Sequence, residues 1–150
     1  SIDSSKFFDA VNLNFAATYI NEFEVQTNST SAAFDGAGSR NFRNQFRSMP
    51  KIRGNLGATF QKGEHTLSTY LRYIDDYEND QSNTTIDSLV TLDAQYSTQL
   101  YKDSAQISIG IKNIMDEDPP SLGANVRPGY DNVMHNVLGR TIYMSFTQLF

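Results

Sequence analysis

The stretch NIMDEDPPSLGANVRPGYDNVMHNVLGRTIYMSFTQLF, from Asn113 to Phe150, carries the most informative pattern of the chain. Its first part is acidic and interrupted by proline and glycine, which break regular ladders and favour turns. Its last part alternates, with Ile142, Met144 and Phe146 separated by more polar residues. Alternation with a period of two is typical of a β-strand with one apolar and one polar face. The stretch therefore predicts a long polar loop that leads into a final two-faced strand.

Composition narrows the classes of protein that remain. The chain has 150 residues, a net charge of −5, no cysteine and 12% aromatic residues, all of them Phe or Tyr. This length suffices for one domain with a core. Absence of cysteine excludes a disulfide framework and thiolate chemistry, and the negative charge argues against a nucleic-acid partner. No apolar run reaches the roughly 18 residues of a transmembrane helix, and no signal peptide is expected at Ser1.

The same alternation recurs along the chain and predicts six strands. Their approximate ranges are 8–22, 50–61, 65–75, 87–100, 105–113 and 139–150. The apolar face is predicted to carry Leu56, Leu71, Leu92 and Ile109, and the polar face Asn55, Arg72, Asp93 and Ser108. Several runs reach about 9–11 residues, which a tilted membrane strand needs, whereas about 5–6 residues are usual in soluble proteins.

The connections between these strands alternate in length. KGEH (62–65) and YKDS (101–104) are short, whereas three polar connections, at about 24–49, 76–86 and 114–138, are long. Alternate connections of an up-and-down antiparallel sheet lie at opposite ends, so one end carries the short turns and the other carries the long loops. Outer-membrane barrels show this asymmetry, and the smallest of them have about 8 strands. The pattern predicts an all-β, up-and-down meander of about six strands within a larger transmembrane β-barrel.

The C-terminal motifs resemble those of TonB-dependent outer-membrane receptors. In that family an Asn-hydrophobic-x-Asp run followed by prolines enters the last extracellular loop, and the final strand opens with Gly-Arg and ends on an aromatic residue. The matching positions are Asn113, Asp116, Pro119, Pro120, Gly139, Arg140 and Phe150. YLRYIDDYEND (70–80) and IDSLVTLDAQYS (86–97) resemble the preceding strands, so the likeness extends from about Met49 to the end. Val137 and Gln148 depart from it, because proline and an apolar residue are usual there.

The resemblance implies the last six strands of a 22-stranded barrel in the outer membrane of a Gram-negative bacterium, without the N-terminal plug domain. It implies energy-coupled uptake of a scarce nutrient, either a siderophore or other metal chelate or an oligosaccharide, and no enzymatic activity. The implied partners are outer-membrane lipid and lipopolysaccharide, the remaining barrel and plug, and the TonB complex through the missing N-terminal region. The barrel-assembly machinery is a further implied partner, with Phe150 as the C-terminal assembly signal.

Candidate ligand contacts lie in the last loop, at Arg127, Tyr130, Asp131 and His135. No catalytic residue, metal site or cofactor is predicted. The acidic run 116–118 lacks the glycine and the terminal glutamate of a calcium-binding loop, and no Gly-x-Ser-x-Gly motif is present. The sequence does not identify the ligand.

Two other classes of protein fit the same pattern. One is a small passive outer-membrane barrel or adhesin, and the other is a soluble β-sandwich binding module whose apolar face would be its core. A requirement for detergent would separate the sandwich from both membrane proteins. A plug domain encoded upstream would separate the transporter from the passive barrel.

Overall fold

The fold was obtained as a computed structural model that describes residues 7–45, 47–80, 82–100, 104–123, 127 and 129–148. In chain order its strands are β1 (Ala10–Tyr19), β2 (Glu24–Val25), β3 (Phe34–Asp35), β4 (Ser39–Arg40), β5 (Ile52–Lys62), β6 (His65–Ile74), β7 (Tyr77–Asn79), β8 (Thr84–Ile86), β9 (Leu89–Leu100), β10 (Ala105–Lys112) and β11 (Thr141–Gln148). These ranges contain no helix. The all-β class predicted from the alternation is confirmed for this part of the chain.

The long strands form one antiparallel sheet of six, in the order β1-β5-β6-β9-β10-β11. Each strand pairs with the next long strand of the chain, so the sheet is the predicted up-and-down meander. Its strands begin and end within three residues of the predicted ranges, as far as those ranges are described. β1 and β11 are the two edges of the sheet.

The two ends of the sheet differ. Between β5 and β6 only Gly63 and Glu64 intervene, with Lys62 paired to His65. Gly63 has a φ of 54°, a left-handed conformation that glycine adopts without steric cost. β9 ends and β10 begins at the same end, where Leu100 pairs with Ala105. Residues 101–103 of the predicted YKDS turn lie outside the described ranges.

The strand register separates polar and apolar side chains onto opposite faces. Leu56 pairs with Leu71, which in turn pairs with Leu92. On the other face Asn55 pairs with Arg72. A slip of one residue would exchange the two faces, so this register follows from the alternation in the sequence.

The apolar face of the sheet is not covered by any described part of the chain. Phe15 and Met144 are 75% and 76% exposed, and further exposed side chains on this face are Leu13, Tyr19, Leu56, Ile109, Ile142 and Phe146. A self-contained sandwich would bury such a face against a second sheet. The buried apolar cluster lies elsewhere and consists of Tyr77, Ile86 and Leu122.

The three long connections are L1 (residues 20–51), L2 (75–88) and L3 (113–140), and the members of that cluster belong to L2 and L3. L1 contains β2, β3 and β4, and L2 contains β7 and β8. β4 pairs in parallel with β7, and β7 pairs with β8, so L1 and L2 share a small three-stranded sheet. The sequence predicted only polar loops here, because these short pairings join distant segments and leave no long alternating pattern.

Candidate functional site

The structure brings two of the four candidate residues together and leaves two apart. Asp131 and His135 are buried in L3, at 2% and 5% exposure. Arg127 is exposed, and Tyr130 is half-buried and forms an isolated bridge with Ser121. Asp131 and His135 therefore act within the protein interior, whereas Arg127 is open to solvent.

Asp131 is the centre of a polar network that joins all three loops. Its carboxylate accepts hydrogen bonds from the Ser48 hydroxyl of L1 and, at 2.9 Å, from the Tyr77 hydroxyl of L2. The Arg40 Nε lies 3.9 Å from the same oxygen. Within L3 the other carboxylate oxygen accepts from the Val133 N–H at 3.1 Å. We call Ser48, Tyr77, Asp131 and His135 the three-loop network.

His135 completes this network against Tyr77. The two rings stack with 6.2 Å between centroids, and the His135 Nε2 lies 3.2 Å from the Tyr77 hydroxyl oxygen. Because the hydroxyl donates to Asp131, it accepts from Nε2–H, which defines a neutral tautomer protonated on Nε2. The other ring nitrogen, Nδ1, is buried and has no hydrogen-bond partner within the described ranges.

Burial sets the protonation states of this pair. Desolvation lowers the pKa of His135, and the nearby Asp131 carboxylate only partly opposes that shift. Desolvation together with Asp131 raises the pKa of Tyr77 well above its usual value. At neutral pH the network therefore holds an uncharged imidazole and a protonated phenol around one carboxylate.

We predict that the three-loop network weakens as the solution becomes acidic. The pKa of His135 lies below its ordinary value of 6.5 in the folded protein, so the folded state binds fewer protons than the unfolded state below that pH. Stability contributed by neutral His135 is thus present above about pH 6.5 and is lost as the pH falls, by up to ~1.4 kcal/mol per pH unit. Hydrogen exchange of L2 and L3, referenced to intrinsic rates, should rise between about pH 7.5 and about pH 5.5.

The histidine variants provide the control for this prediction. His135→Gln should flatten the pH dependence, because the titrating group is gone. His65→Gln should leave it unchanged, since His65 lies in the short β5–β6 turn region, away from the loops. A wild-type pH slope in His135→Gln would show that His135 does not control the loops.

A cleft of about 550 Å³ lies between L3 and the polar face of the sheet. This volume falls within the ~300–1,000 Å³ typical of small-ligand sites. Its charged lining residues are Arg72, Asp93, Lys112 and Glu117; its apolar ones include Ile74, Leu89, Met134 and Leu138. His135 also lines it, so the three-loop network and the cleft share one residue.

Hydrogen bonds hold the polar side of the cleft in place. The Arg72 guanidinium donates to Asp93 at 2.8 Å and to the Thr91 hydroxyl at 3.2 Å. Asp93 also accepts from the Asn113 N–H at 2.9 Å. The Lys112 ammonium lies 5.7 Å from the centre of the Tyr143 ring. The charges of this wall are therefore oriented by neighbours that belong to the protein itself.

Tyr143 is positioned by a glycine on the neighbouring strand. Gly110 pairs with Tyr143, and a Cβ on Gly110 would come within 2.3 Å of the tyrosine ring. The ring can therefore lie across β10, where its hydroxyl donates to Gln95 at 2.8 Å. The absence of a side chain at Gly110 thus allows this aromatic residue to line the cleft.

Four of the motif residues form a clasp between the beginning and the end of L3. Asn113 and Asp116 adopt left-handed φ values of 52° and 61°. The Asp116 carboxylate accepts from the Arg140 N–H at 2.7 Å and lies 3.7 Å from its guanidinium. A Cβ at Gly139 would lie only 3.0 Å from the Asp116 carboxylate. The motif therefore has a structural role in closing the loop.

Asp116→Ala is expected to loosen this clasp and to destabilise L3 by about 1 kcal/mol, because the Arg140 N–H loses its acceptor. The charge pair adds little, since both side chains are about half exposed. Hydrogen exchange of the Arg140 amide would measure the effect. Glu117→Ala is the matched control, because Glu117 contacts Asn113 through its main chain only.

Several residues of the site were not predicted. Arg40 and Ser48 lie in L1 and Tyr77 lies in L2, and polar loop residues usually face solvent, so no local pattern marks them as parts of an internal network. Arg72 and Asp93 were assigned to the polar face, but their pairing depends on the register of β6 and β9. Phe150, the predicted assembly signal, lies outside the described ranges, and its role stays a prediction.

Within the described residues, no group of three or more His, Asp or Glu side chains is placed to hold a metal ion. The same ranges contain no helix able to span a lipid bilayer. Comparison with protein-family models, with curated proteins and with solved structures gives no match. The function is therefore inferred from the sheet, the loops and the cleft.

Proposed function

We propose that this chain forms part of the barrel wall of a TonB-dependent outer-membrane receptor that takes up a scarce nutrient. In this proposal the chain contributes six adjacent strands and three extracellular loops and carries out no chemical reaction. The remaining barrel, the plug and the TonB complex would supply closure, gating and energy.

The observation that carries the proposal is the uncovered apolar face of a regular six-stranded sheet. Phe15 and Met144 on this face are about three-quarters exposed, while the opposite face is polar. A barrel wall in a bilayer needs this division, with apolar residues toward lipid and polar residues toward the lumen. Strands of 8 to 12 residues are also close to the length that a tilted membrane strand requires.

The arrangement of the loops supports the same proposal. L1, L2 and L3 all leave the sheet at one end, and a two-residue turn closes the opposite end between β5 and β6. L2 and L3 pack on each other through a buried cluster, and L1 is joined to them by the β4–β7 pairing and the Ser48–Asp131 hydrogen bond, so the loops would form an ordered cap over the lumen. The Asn113, Asp116, Gly139 and Arg140 clasp, which the motif resemblance pointed out, lies where the last loop meets the wall.

Spin labels in the complete receptor, reconstituted in phospholipid vesicles, test the orientation of the wall. Labels at 56, 71, 92 and 109 should be accessible to oxygen dissolved in lipid, and labels at 55, 72, 93 and 108 to a water-soluble nickel complex. A protein that fractionates without detergent, or the reverse accessibility pattern, would contradict the proposal.

A second measurement tests the coupling to TonB. Nutrient uptake by cells should stop when the TonB protein is deleted, while the receptor remains at the cell surface. Uptake that continues without TonB would instead indicate a passive barrel, and an adhesin would show no uptake in either strain.

A further inference from the structure

The wall of the cleft carries as much negative as positive charge. Its two cations, Arg72 and Lys112, are matched by two carboxylates, Asp93 and Glu117. Arg72 is already paired with Asp93, and the Lys112 ammonium lies over the Tyr143 ring. An anionic ligand would find no excess positive charge here and would have to approach both carboxylates.

The polar atoms of the cleft are suited to a partner that both donates and accepts hydrogen bonds. The fixed Arg72–Asp93 pair places charged donors and acceptors side by side, and Thr91, Thr141 and Asn136 add neutral ones. Hydrogen bonds to ionised groups are stronger than those between neutral groups. A hydroxyl group can donate one hydrogen bond and accept two, so it can use both kinds of partner.

Apolar side chains complete the lining beside these polar groups. Ile74 and Leu89 lie on the same face of the sheet as Arg72 and Thr91, and Met134 and Leu138 belong to L3. Together they provide an apolar surface for the C–H groups of the same ligand.

We propose that this cleft binds a neutral, hydroxyl-rich ligand of the carbohydrate class. The inference rests on the proposed uptake function and specifies its substrate class as neutral oligosaccharide, not anionic metal chelate. Balanced wall charge and paired polar groups beside apolar side chains both favour this class.

Two neighbouring residues offer a matched pair of variants. Leu138 and Val137 are both well exposed, at 64% and 52%, so tryptophan should be tolerated at either position. Only Leu138 lines the cleft. Leu138→Trp should obstruct the cleft, whereas Val137→Trp should leave it open.

Binding would be measured by calorimetry on the complete receptor in detergent. The probes are maltohexaose, cellohexaose, xylohexaose and mannohexaose, with ferric citrate and a ferric tris-catecholate as anionic chelates. We expect at least one neutral oligosaccharide to bind, Leu138→Trp to weaken its affinity at least ~tenfold, and Val137→Trp to bind like the wild type. The affinity should change little between about 50 mM and about 500 mM NaCl, because the ligand is uncharged.

Three results would overturn the inference. They are binding of an anionic chelate only, binding of none of the probes, and oligosaccharide binding that Leu138→Trp and Val137→Trp leave equally strong.

If Leu138→Trp does not assemble, Lys112→Met replaces it as the cleft variant. Its control is Arg53→Met, because Arg53 lies on the same polar face but outside the cleft. TonB-dependent uptake of a chelate would refute the proposed substrate class and leave the proposed transport function standing. Sugar binding by a protein that does not reside in the membrane would refute the transport function and leave the substrate class standing.

Discussion

Replacing Asp131 with alanine should separate the three loops while leaving the six-stranded sheet intact. The buried carboxylate accepts from the hydroxyls of Ser48 and Tyr77 and lies near Arg40, so its removal leaves buried donors without their acceptor. Loss of one partner of a buried charged network typically costs about 3–5 kcal/mol. The effect should remain local, because the contacts of the sheet do not involve Asp131.

Hydrogen exchange would show this effect as faster exchange in residues 77–86 and 129–135, with strands β5, β6 and β9 unchanged. Asp118→Ala is the matched control, since Asp118 is an exposed acid of the same loop. Asp131→Asn should have a smaller effect, because the amide oxygen still accepts one hydrogen bond. Equal exchange in Asp131→Ala and Asp118→Ala would show that the three-loop network does not hold the loops together.

If the apolar face meets lipid as proposed, Leu56→Arg is expected to destabilise the protein in a phospholipid bilayer by about 2–4 kcal/mol, the cost of arginine at a lipid-facing position near the midplane. Leu56 is 46% exposed in this chain. In a water-soluble protein an exposed surface substitution of this kind would usually change stability by less than about 0.5 kcal/mol. The size of the effect therefore reports which solvent the apolar face meets.

Asn55→Arg on the adjacent position serves as the control, because it lies on the polar face of the same strand. Denaturant unfolding in vesicles should show a near-neutral effect for Asn55→Arg and a clear loss for Leu56→Arg. Similar stabilities for the two variants would contradict the assignment of the apolar face to lipid.

The sequence was sufficient to predict the sheet because each long strand alternates over its full length. That periodicity set the six strands and the two faces, and it predicted that Leu56 and Asn55 point in opposite directions. The short turns then indicated that each long strand pairs with the next long strand of the chain, which makes the sheet an antiparallel meander. These features depend on local order, which a single sequence can reveal.

The site was less predictable because its contacts join distant segments. Asp131 and His135 were recognised as candidate ligand contacts; the structure buries both against Ser48 and Tyr77, and His135 also lines the cleft. These contacts span 83 and 58 residues, and nothing in the local sequence around Ser48 or Tyr77 indicates a buried partner. The motif from Asn113 to Arg140 was noticed as a resemblance, and its physical role as a clasp required the loop geometry.

The three-loop network also determines how the loop-bearing end of this protein can be changed by engineering or by evolution. Ser48, Tyr77 and Asp131 come from three separate loops, so each loop presents a surface that is shaped by the other two. A single loop transplanted from another protein would arrive without the partners that order it, and the two loops left behind would lose theirs. Exchange of specificity should therefore succeed when L1, L2 and L3 are moved together, with the six-stranded sheet left in place beneath them.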